Sequence, residues 1–458
     1  METKDQSQKE KVRFSAMFEG LVDVVQHEGK PAYLFKTGAG LSIQEEVFVR
    51  GVHYRPPPLV KTPWILPRAE EVLRHFRSQS MAGTKADAQL FDDLRDYLKG
   101  ISELPSDPYY DLLTAWLFHT YLLEQTLYSP IICLFAIPER GKSRTGKGLI
   151  YVAYRGVTVE SLREASLIRF STHWRATLFF DVMELWKKAE RHESQDLILH
   201  RFEKGTKVAR VLHPEWGAHL DTEFFEPFGA TVIGTNMNPH HILETRGITI
   251  NMPETGRTFE NDVTPELALP FKERLLAFRA RYMDKPLPNV IKPVSGRLGD
   301  IIKPLVQVLL LVKADRKEAF LGFIKKLETG RRLEKAETLE AKVLRAVIAL
   351  RDRIRRGTLT NVEIADKVNE GKHFLSEDGF SYSRIRNKLM AMGFEIVRAG
   401  DGAAAIVYNM EYIERLREKF GLPEQQESPT QPEDGTDVSD TSEGSGEYAD
   451  LPPDKGPF

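Results

Sequence analysis

Cysteine is nearly absent from the sequence, since Cys133 is the only one among 458 residues. No disulfide can therefore form within the chain, and the apolar run at residues 131–136 favours a buried structural thiol over a reactive one. A chain of this length buries a large core without disulfides. The neighbouring His240 and His241 have no cysteine partners at zinc-site spacing. The composition thus excludes a disulfide scaffold and indicates no structural zinc site.

Long hydrophobic runs are absent too. The best one covers residues 305–312, whereas a membrane-spanning helix needs about 18 apolar residues. The first residues, Met1 to Gln6, are polar and lack the apolar centre of a signal peptide. We therefore expect a cytoplasmic protein without a membrane segment.

An excess of charge of one sign is missing from the chain as a whole, whose net charge is −2. Acidic residues are concentrated at its end, where residues 423–458 contain ten Asp or Glu and one Lys. The remainder carries 63 Lys or Arg against 56 Asp or Glu. This mildly basic body is compatible with nucleic-acid binding, and an ordinary solvated surface explains the charge equally well.

The middle of the chain alternates buried strands with helices. Continuous apolar runs occur at residues 131–136, 176–180 and 230–234, and stretches with helical periodicity lie between them. Such runs are typical of strands buried on both faces of a parallel sheet. The alternation predicts a three-layer α/β domain. Residues 67–126 before it and 267–328 after it have the apolar periodicity of helices.

A phosphate-binding motif begins where the first of these strands ends. Residues 136–143 fit the P-loop pattern, with alanine at the first glycine position. A loop between a strand and a helix directs backbone N–H groups at a phosphate, and the helix N-terminus adds its dipole. Lys142 is then expected to contact the β- and γ-phosphates of ATP, and Ser143 to bind Mg²⁺. The predicted ATP-binding residues are Pro138, Glu139, Arg140, Gly141, Lys142, Ser143 and Arg144.

A second register of the same motif competes with the first. Gly141, Gly146 and Lys147 also have P-loop spacing, but Gly148 stands where serine or threonine is required. This register also starts five residues beyond the end of the apolar run. The first register is therefore favoured.

A P-loop needs an acidic residue at the end of a neighbouring strand, where it holds the Mg²⁺ shell. Asp181 closes the next apolar run, 38 residues after Ser143, where one βα unit would place it. Val182 follows this aspartate, and Glu184 is the nearest acid that could activate the attacking water. An exposed carboxylate on a helix surface is an equal alternative for Glu184.

Two polar residues near the third strand complete the candidate site. Asn236 follows the strand tip Gly234-Thr235 and could orient water near the γ-phosphate, or it could be a turn residue. Arg246 precedes another strand, and its delocalised charge suits a transferring phosphoryl group.

The order of these motifs resembles the AAA+ ATPases. Residues 128–144, 179–181 and 245–253 more narrowly resemble ATPases of phages, plasmids and integrated mobile elements, which are similar to minichromosome-maintenance-type helicases. The resemblance covers about residues 110–310. It implies that Arg246 acts as an arginine finger on the neighbouring subunit and that Arg297 is a lid residue contacting the γ-phosphate. Val182 departs from the family pattern, because a glutamate usually occupies that position.

Two segments are candidates for contact with DNA. Lys204, Lys207 and Arg210 surround Gly205-Thr206 before the predicted strand 208–212, where a basic hairpin could grip phosphates in a ring pore, or could be an ordinary charged hairpin. Residues 358–409 have the order of a winged helix, which binds DNA or protein. Its second helix is predicted from Arg384 to Met392, with Ser381 or Ser383 as the cap, and a two-stranded ribbon follows. The residues predicted to contact DNA in this module are Arg384, Arg386, Asn387, Lys388 and Arg398.

The complete prediction is an α/β protein with a AAA+ three-layer parallel-sheet core, cofactors ATP and Mg²⁺, and DNA as partner. The resemblance implies an ATP-dependent DNA translocase or helicase, a ring hexamer, in the replication of a mobile element. The alternative is an ATP-gated DNA-binding initiator or regulator that hydrolyses slowly or not at all. The predicted segments are a disordered start (1–12), a β-rich module (13–58), a helical region (59–126), the ATPase core (127–256), a helical lid (257–334), a winged-helix domain (335–422) and an acidic disordered tail (423–458).

Overall fold

The computed structural model describes residues 12–38, 40–182, 184–237, 241–370, 379–400 and 402–422. These residues form two compact units, which divide between Arg331 and Arg332. The predictions of disorder for residues 1–11 and 423–458 lie outside the described residues, as do those for His240 and the side chain of His241.

Short antiparallel strands begin the first unit. The order β2-β3-β4 forms one sheet, and the order β1-β6-β5 forms a second sheet in which β1 and β6 are parallel. These strands lie within the β-rich module predicted for residues 13–58. The six strands are β1 (Arg13–Phe14), β2 (Leu21–His27), β3 (Lys30–Thr37), β4 (Gly40–Gln44), β5 (Val47–Val49) and β6 (Val52–Arg55).

Three helices follow, and their apolar faces are buried. Asp107 and Pro108 begin the third helix, where proline is tolerated because the first N–H groups of a helix have no partner within it. The helices are α1 (Ala69–Ala82), α2 (Thr84–Ile101) and α3 (Asp107–Thr120).

A five-stranded parallel sheet, flanked by helices, forms the centre of the unit. Its strands run in the order β13-β7-β12-β9-β8. The chain between β9 and β12 also forms an antiparallel ribbon, β10-β11. The elements are β7 (Ile131–Phe135), α4 (Lys142–Val152), β8 (Gly156–Val159), α5 (Glu164–Ile168), β9 (Thr177–Asp181), α6 (Leu185–Arg191), α7 (Gln195–Leu199), β10 (Val208–Val211), β11 (Thr222–Phe225), β12 (Thr231–Thr235), α8 (His241–Glu244) and β13 (Gly247–Asn251).

Three helices follow the sheet, and the last of them crosses the boundary between the two units. The Thr264 hydroxyl accepts from the Leu267 amide at 3.3 Å and so caps the first of them. Lys313 and Arg316 beyond the second helix pair with Asp92 at 2.7 Å and Asp111 at 2.9 Å. The helices are α9 (Pro265–Tyr282), α10 (Gly296–Val312) and α11 (Lys317–Ala336).

The N-terminal strands share their interior with the central sheet. Val22, Val25 and Leu34 belong to the same buried apolar cluster as β7 and β9. The guanidinium of Arg155, fully buried, donates to the Asp23 carboxylate at 2.7 Å and to the Ala16 carbonyl at 3.0 Å. Removing one partner of a buried pair of this kind costs about 3–5 kcal/mol. The β-rich module is therefore fixed to the first unit and is not a separate compact unit.

The second unit contains helices around a small antiparallel sheet, ordered β14-β16-β15. Thr360 and Glu363 form a reciprocal capping box at the start of the second helix. The first strand and the last helix were not predicted. The elements are α12 (Leu339–Ala349), β14 (Thr358–Thr360), α13 (Asn361–Val368), α14 (Tyr382–Ala391), β15 (Ile396–Arg398), β16 (Ala404–Val407) and α15 (Met410–Phe420).

The predicted fold class is confirmed. The chain is an α/β protein with a parallel sheet between helices, small β-sheets before it, and a helical and β region after it. Among the described residues, no helix combines the length and apolarity that crossing a membrane requires.

His119 in α3 supplies a test of the packing. It is fully buried, and neither ring nitrogen has a hydrogen-bond partner among the described residues. Burial lowers the pKa of its imidazole to about 3. Because the unfolded chain binds a proton near pH 6.5 and the folded chain does not, stability falls as the pH drops from 6.5 toward 3.

We expect His119→Leu to raise the free energy of unfolding by about 1–3 kcal/mol at neutral pH, because two buried polar atoms without partners are removed. Its advantage over the wild type should grow by up to about 1.4 kcal/mol per pH unit below 6.5. Urea unfolding at several pH values measures both effects. His192→Leu, at an exposed position, is the control; equal pH slopes for the wild type and His119→Leu would contradict the prediction.

Candidate functional site

Residues 136–141 form an open loop between β7 and α4, and Lys142 and Ser143 begin the helix. Glu139 and Gly141 have positive φ angles of 68° and 75°, and the helix begins directly afterwards at Lys142. A helix leaves the N–H groups of its first turn without intrahelical partners. The first amide here that donates to a helical carbonyl is that of Thr145, to Gly141, at 2.9 Å. The amides of residues 142–144 therefore remain available to an anion.

Lys142 is buried at the base of this loop. Its ammonium donates to the carbonyl of Ala136 at 2.5 Å and to that of Ile137 at 3.3 Å. Burial lowers the pKa of Lys142, and the nearby carboxylate of Asp181 opposes that effect. Neutral carbonyls compensate a buried cation only in part, so this ammonium is suited to a further anionic partner.

The second P-loop register is incompatible with the structure. Gly146 and Lys147 lie inside α4, whose N–H groups are used by the helix. A Cβ atom on Gly146 would stand 2.1 Å from the ring of Phe179, so this glycine is required for packing of the helix on β9. Lys147 is exposed.

Asp181 ends β9 at the same edge of the sheet as the loop. The expectation that its strand neighbours β7 was wrong, because β12 lies between them and pairs with both. Strands in a sheet are about 4.8 Å apart, so β7 and β9 are separated by about 10 Å. Because Gly234 on β12 has no side chain, the Asp181 carboxylate can lie close to the backbone of β12. A Cβ on Gly234 would stand 3.2 Å from that carboxylate.

Asn236 and Glu184 follow two of these strand ends. The Thr235 hydroxyl accepts from the Met237 amide at 3.1 Å, and this turn leaves Asn236 exposed between them. Glu184 is exposed at the start of α6 and pairs with Lys187 at 2.8 Å. The hydrogen bond from Lys187 lowers the pKa of Glu184 and so makes it a weaker base.

The two arginines near Ser143, one in the loop and one in the first turn of α4, have partners of their own. Arg140 pairs with Glu254 at 3.0 Å. Arg144 donates to the carbonyls of Ile101, at 2.9 Å, and Asn261, so its guanidinium is held by backbone away from the loop. Of the two, only Arg140 remains at the mouth of the loop.

Arg246 and Arg297 lie together at the opposite edge of the sheet. The Arg246 carbonyl accepts from the amide of Ile131, the first residue of β7. Both guanidiniums stack on Phe202, at 5.0 and 5.7 Å from the ring centre, and Arg297 also donates to the Thr245 hydroxyl at 3.1 Å. Burial, and then the charge of Arg297, lower the pKa of Arg246. Neither arginine contacts the phosphate loop of its own chain.

The predicted basic hairpin differs from the observed ribbon. Gly205 joins a short helical turn to β10, and the tip of the ribbon is formed by residues 212–221 instead. Lys204 donates to the Glu124 carbonyl at 2.8 Å, whereas Lys207 is exposed. Arg210 is half-buried between Glu164, at 2.5 Å, and Asp196, at 3.0 Å.

The ribbon itself has exposed apolar side chains that were not predicted. Trp216 at its tip is 55% exposed, and its ring stacks on His213 with centroids 3.8 Å apart. In the sequence, the turn residues Pro214 and Gly217 on either side of Trp216 indicate the turn at the tip of this ribbon. The other exposed apolar residues of the ribbon are Val211, Leu212, Leu220 and Phe224.

In the second unit, α14 begins at Tyr382, and the Ser381 hydroxyl caps it by accepting from the Arg384 amide at 3.3 Å. Arg384 and Asn387 are exposed on this helix, and Arg386 is half-buried. Lys388 is half-buried and pairs with Glu340 of α12 at 2.6 Å. Arg398 ends β15 and is exposed.

Comparison with known proteins gives distant likenesses only. No protein-family model matches the sequence, and no curated protein matches it. The apo A form of the NrS-1 C-terminal region is 12% identical, over 85% of this chain and 96% of that chain, with a TM-score of 0.31.

Two further solved structures are similar at the same level. Cdc6p from Pyrobaculum aerophilum is 12% identical over 70% of this chain and 94% of its own, with a TM-score of 0.20. Drosophila ORC bound to DNA is 13% identical over 71% and 91%, with a TM-score of 0.18. At such low identity and TM-score, none of these likenesses assigns a function to this chain.

The two registers of the motif make opposite predictions for two lysines. Lys142→Ala should weaken ATP binding by about 10- to 100-fold, since a hydrogen bond to a charged group contributes about 1.5–3 kcal/mol. Lys147→Ala is the matched control on the exposed face of α4 and should bind as the wild type does. Calorimetric titration with ATP and Mg²⁺ measures both, and a loss confined to Lys147→Ala would contradict the placement of the site.

Proposed function

We propose that this chain is a Mg²⁺-dependent ATPase of AAA+ type that acts on DNA. One observation carries the proposal: a strand–loop–helix with unused amides and a buried lysine faces the same sheet edge as Asp181. A P-loop ATPase needs these groups together, because its catalysis consists of positioning phosphates and stabilising their charge.

The residues at this edge fit a triphosphate and its metal. The amides of residues 142–144 and the ammonium of Lys142 bind phosphate oxygens, and Lys142 exchanges the Ala136 and Ile137 carbonyls for them. The Ser143 hydroxyl and the Asp181 carboxylate are hard oxygen ligands of the kind that Mg²⁺ prefers beside phosphates. When bound, the metal neutralises charge on the phosphate oxygens. Asn236 orients the attacking water from the tip of β12.

The position of Arg246 and Arg297 favours a ring of identical subunits. Both lie at the edge of the sheet opposite their own loop, so a neighbouring subunit is the chain whose γ-phosphate they can reach. A phosphate between them would offset burial and the charge of Arg297, which both lower the pKa of Arg246. We propose that Arg246 is the finger residue and that Arg297 assists it from the same side, in a hexamer as the resemblance to AAA+ rings implies.

DNA contact is proposed for two places. The exposed Trp216–His213 stack at the ribbon tip presents an aromatic face, and unpaired bases stack on such faces without sequence preference. In the second unit, the exposed residues Arg384, Asn387 and Arg398 are candidates for duplex contact. The proposed activity is translocation along DNA or strand separation, which serves replication of a mobile element if the resemblance extends to function.

A second candidate function is an ATP-gated DNA-binding switch. Val182 replaces the usual catalytic glutamate, and the nearest acid, Glu184, is held by Lys187. A site that binds ATP without a competent base hydrolyses it slowly or not at all.

Turnover of Glu184→Gln separates the motor from the switch. For a motor, we expect hydrolysis stimulated by single-stranded DNA in the wild type and a fall of about 10²-fold or more in Glu184→Gln, the contribution of a general base. Glu190→Gln, another exposed acid near α6, should leave the rate unchanged. Tight ATP binding with equally negligible turnover in the wild type and Glu184→Gln would favour the switch.

Mixing two inactive variants tests the shared site. Lys142→Ala and Arg246→Ala should each abolish hydrolysis, and their mixture should regain part of it, because some interfaces then combine an intact loop with an intact arginine. Lys142→Ala mixed with Ser143→Ala is the control, since both changes damage the same side of the interface. Recovery of equal size in both mixtures, or in neither, would argue against an arginine supplied by the neighbour.

A further inference from the structure

The second unit carries a dense group of arginines outside the predicted DNA-binding residues. We call Arg351, Arg353, Arg355 and Arg356 the arginine segment. All four are exposed, and none has a carboxylate within salt-bridge distance among the described residues. Asp352 is the one acid within the segment. Within the part of the chain that the structure describes, four guanidiniums therefore lie on the surface with Asp352 as the one acid among them.

The backbone of the segment is fixed. Residues Arg351–Arg353 form one turn of 3₁₀-helix after α12. Arg355 and Thr358 then exchange two backbone hydrogen bonds of 3.0 Å, and the residues between them, Arg356 and Gly357, have positive φ angles of 52° and 76°. Tight two-residue turns have this pattern, and this one leads directly into β14. The arginine side chains are thus presented from an ordered surface.

The segment is continuous with the turn between β15 and β16. The guanidinium of Arg356 reaches this turn, since its Nη1 atom is 3.7 Å from the place of a Cβ on Gly400. Arg398 stands at the other side of the same turn and is exposed. Arg351 is close enough to Tyr408 to affect its pKa. The arginine segment and Arg398 together form one basic surface.

Several other cations of this unit have a carboxylate partner, unlike those of the arginine segment. The partners of Lys388 and Lys367 lie at 2.6 and 2.5 Å, and the partner of Arg417 at 2.8 Å. Arg345 and Arg415 also have a carboxylate within 4.0 Å. Among the described residues, the arginine segment contains no such pair.

We propose that the arginine segment binds the phosphate backbone of DNA, together with Arg398, and supplies most of the sequence-independent affinity of the second unit. The proposal rests on the DNA-directed function above. The planar, permanently charged guanidinium forms paired hydrogen bonds with phosphate oxygens. The turn fixes the backbone beforehand, so less entropy is lost on binding. Lys388 on α14 contributes little, because Glu340 holds it.

The salt dependence of binding tests this surface in the full chain. In Arg353→Gln/Arg355→Gln, both changes avoid the turn residue with positive φ. Each phosphate contact contributes about 0.9 to the slope of log affinity against log salt concentration. We expect the slope for duplex DNA to fall by about two, equally for unrelated sequences, with an unchanged melting temperature. Fluorescence anisotropy at several salt concentrations measures the slope.

The double variant Lys367→Gln/Arg415→Gln is the matched control, because it also removes two positive charges, both of them already paired. Its slope should stay that of the wild type. An unchanged slope in Arg353→Gln/Arg355→Gln, or an equal fall in the control, would overturn the proposal. If the arginine variant instead bound DNA normally and lost affinity only for a peptide of residues 423–458, the arginine segment would bind the chain's own acidic segment. That result would also overturn the proposal. ATP titration of the wild type tests the proposed function separately.

Discussion

The common direction of the five central strands decides where each charged group of the candidate site lies. In a parallel sheet all carboxyl ends meet at one edge, so Lys142, Asp181 and Asn236 are gathered there although they are far apart in sequence. The start of β13 necessarily lies at the other edge, and Arg246 lies with it. Five-residue strands separate the two edges by about 15 Å. The proposed phosphate loop and the proposed arginine finger of one chain therefore lie at opposite edges of the sheet.

Much of this arrangement could be predicted, because its signals are local. Strands β7, β9 and β12 are buried on both faces and so appear as continuous apolar runs, and the motif around Lys142 follows directly from the first. The order of the strands could not be predicted in this way. Asp181 follows Ser143 at the distance of one βα unit, yet β12, from later in the chain, lies between β7 and β9. Strand order depends on the path of the connecting segments, which no local pattern records.

The partners of individual charges were equally beyond local patterns. Lys388 and Arg210 have the sequence context of free surface cations, but Glu340, Glu164 and Asp196 pair with them from distant segments. Arg144 is held by carbonyls of α2 and residue 261. The arginine segment shows the converse case, since its charge density is evident from sequence, but only the fold shows that it has no carboxylate partner among the described residues. The charge of a surface residue therefore indicates a binding site only once its ion-pair partners in the structure are known.

Lys142 in the proposed phosphate loop and Arg246, the proposed arginine finger, are both cations that are partly or largely shielded from solvent. Lys142 is buried with two neutral carbonyls as its hydrogen-bond partners, and Arg246 is partly buried beside a second guanidinium. Burial disfavours the charged form of both groups, and the nearby carboxylates of Asp181 and Glu203 oppose that effect. In the proposed ring, a single γ-phosphate between two subunits would compensate both at once. The affinity for ATP and the contact between subunits would then be linked, since the same phosphate would contact both subunits.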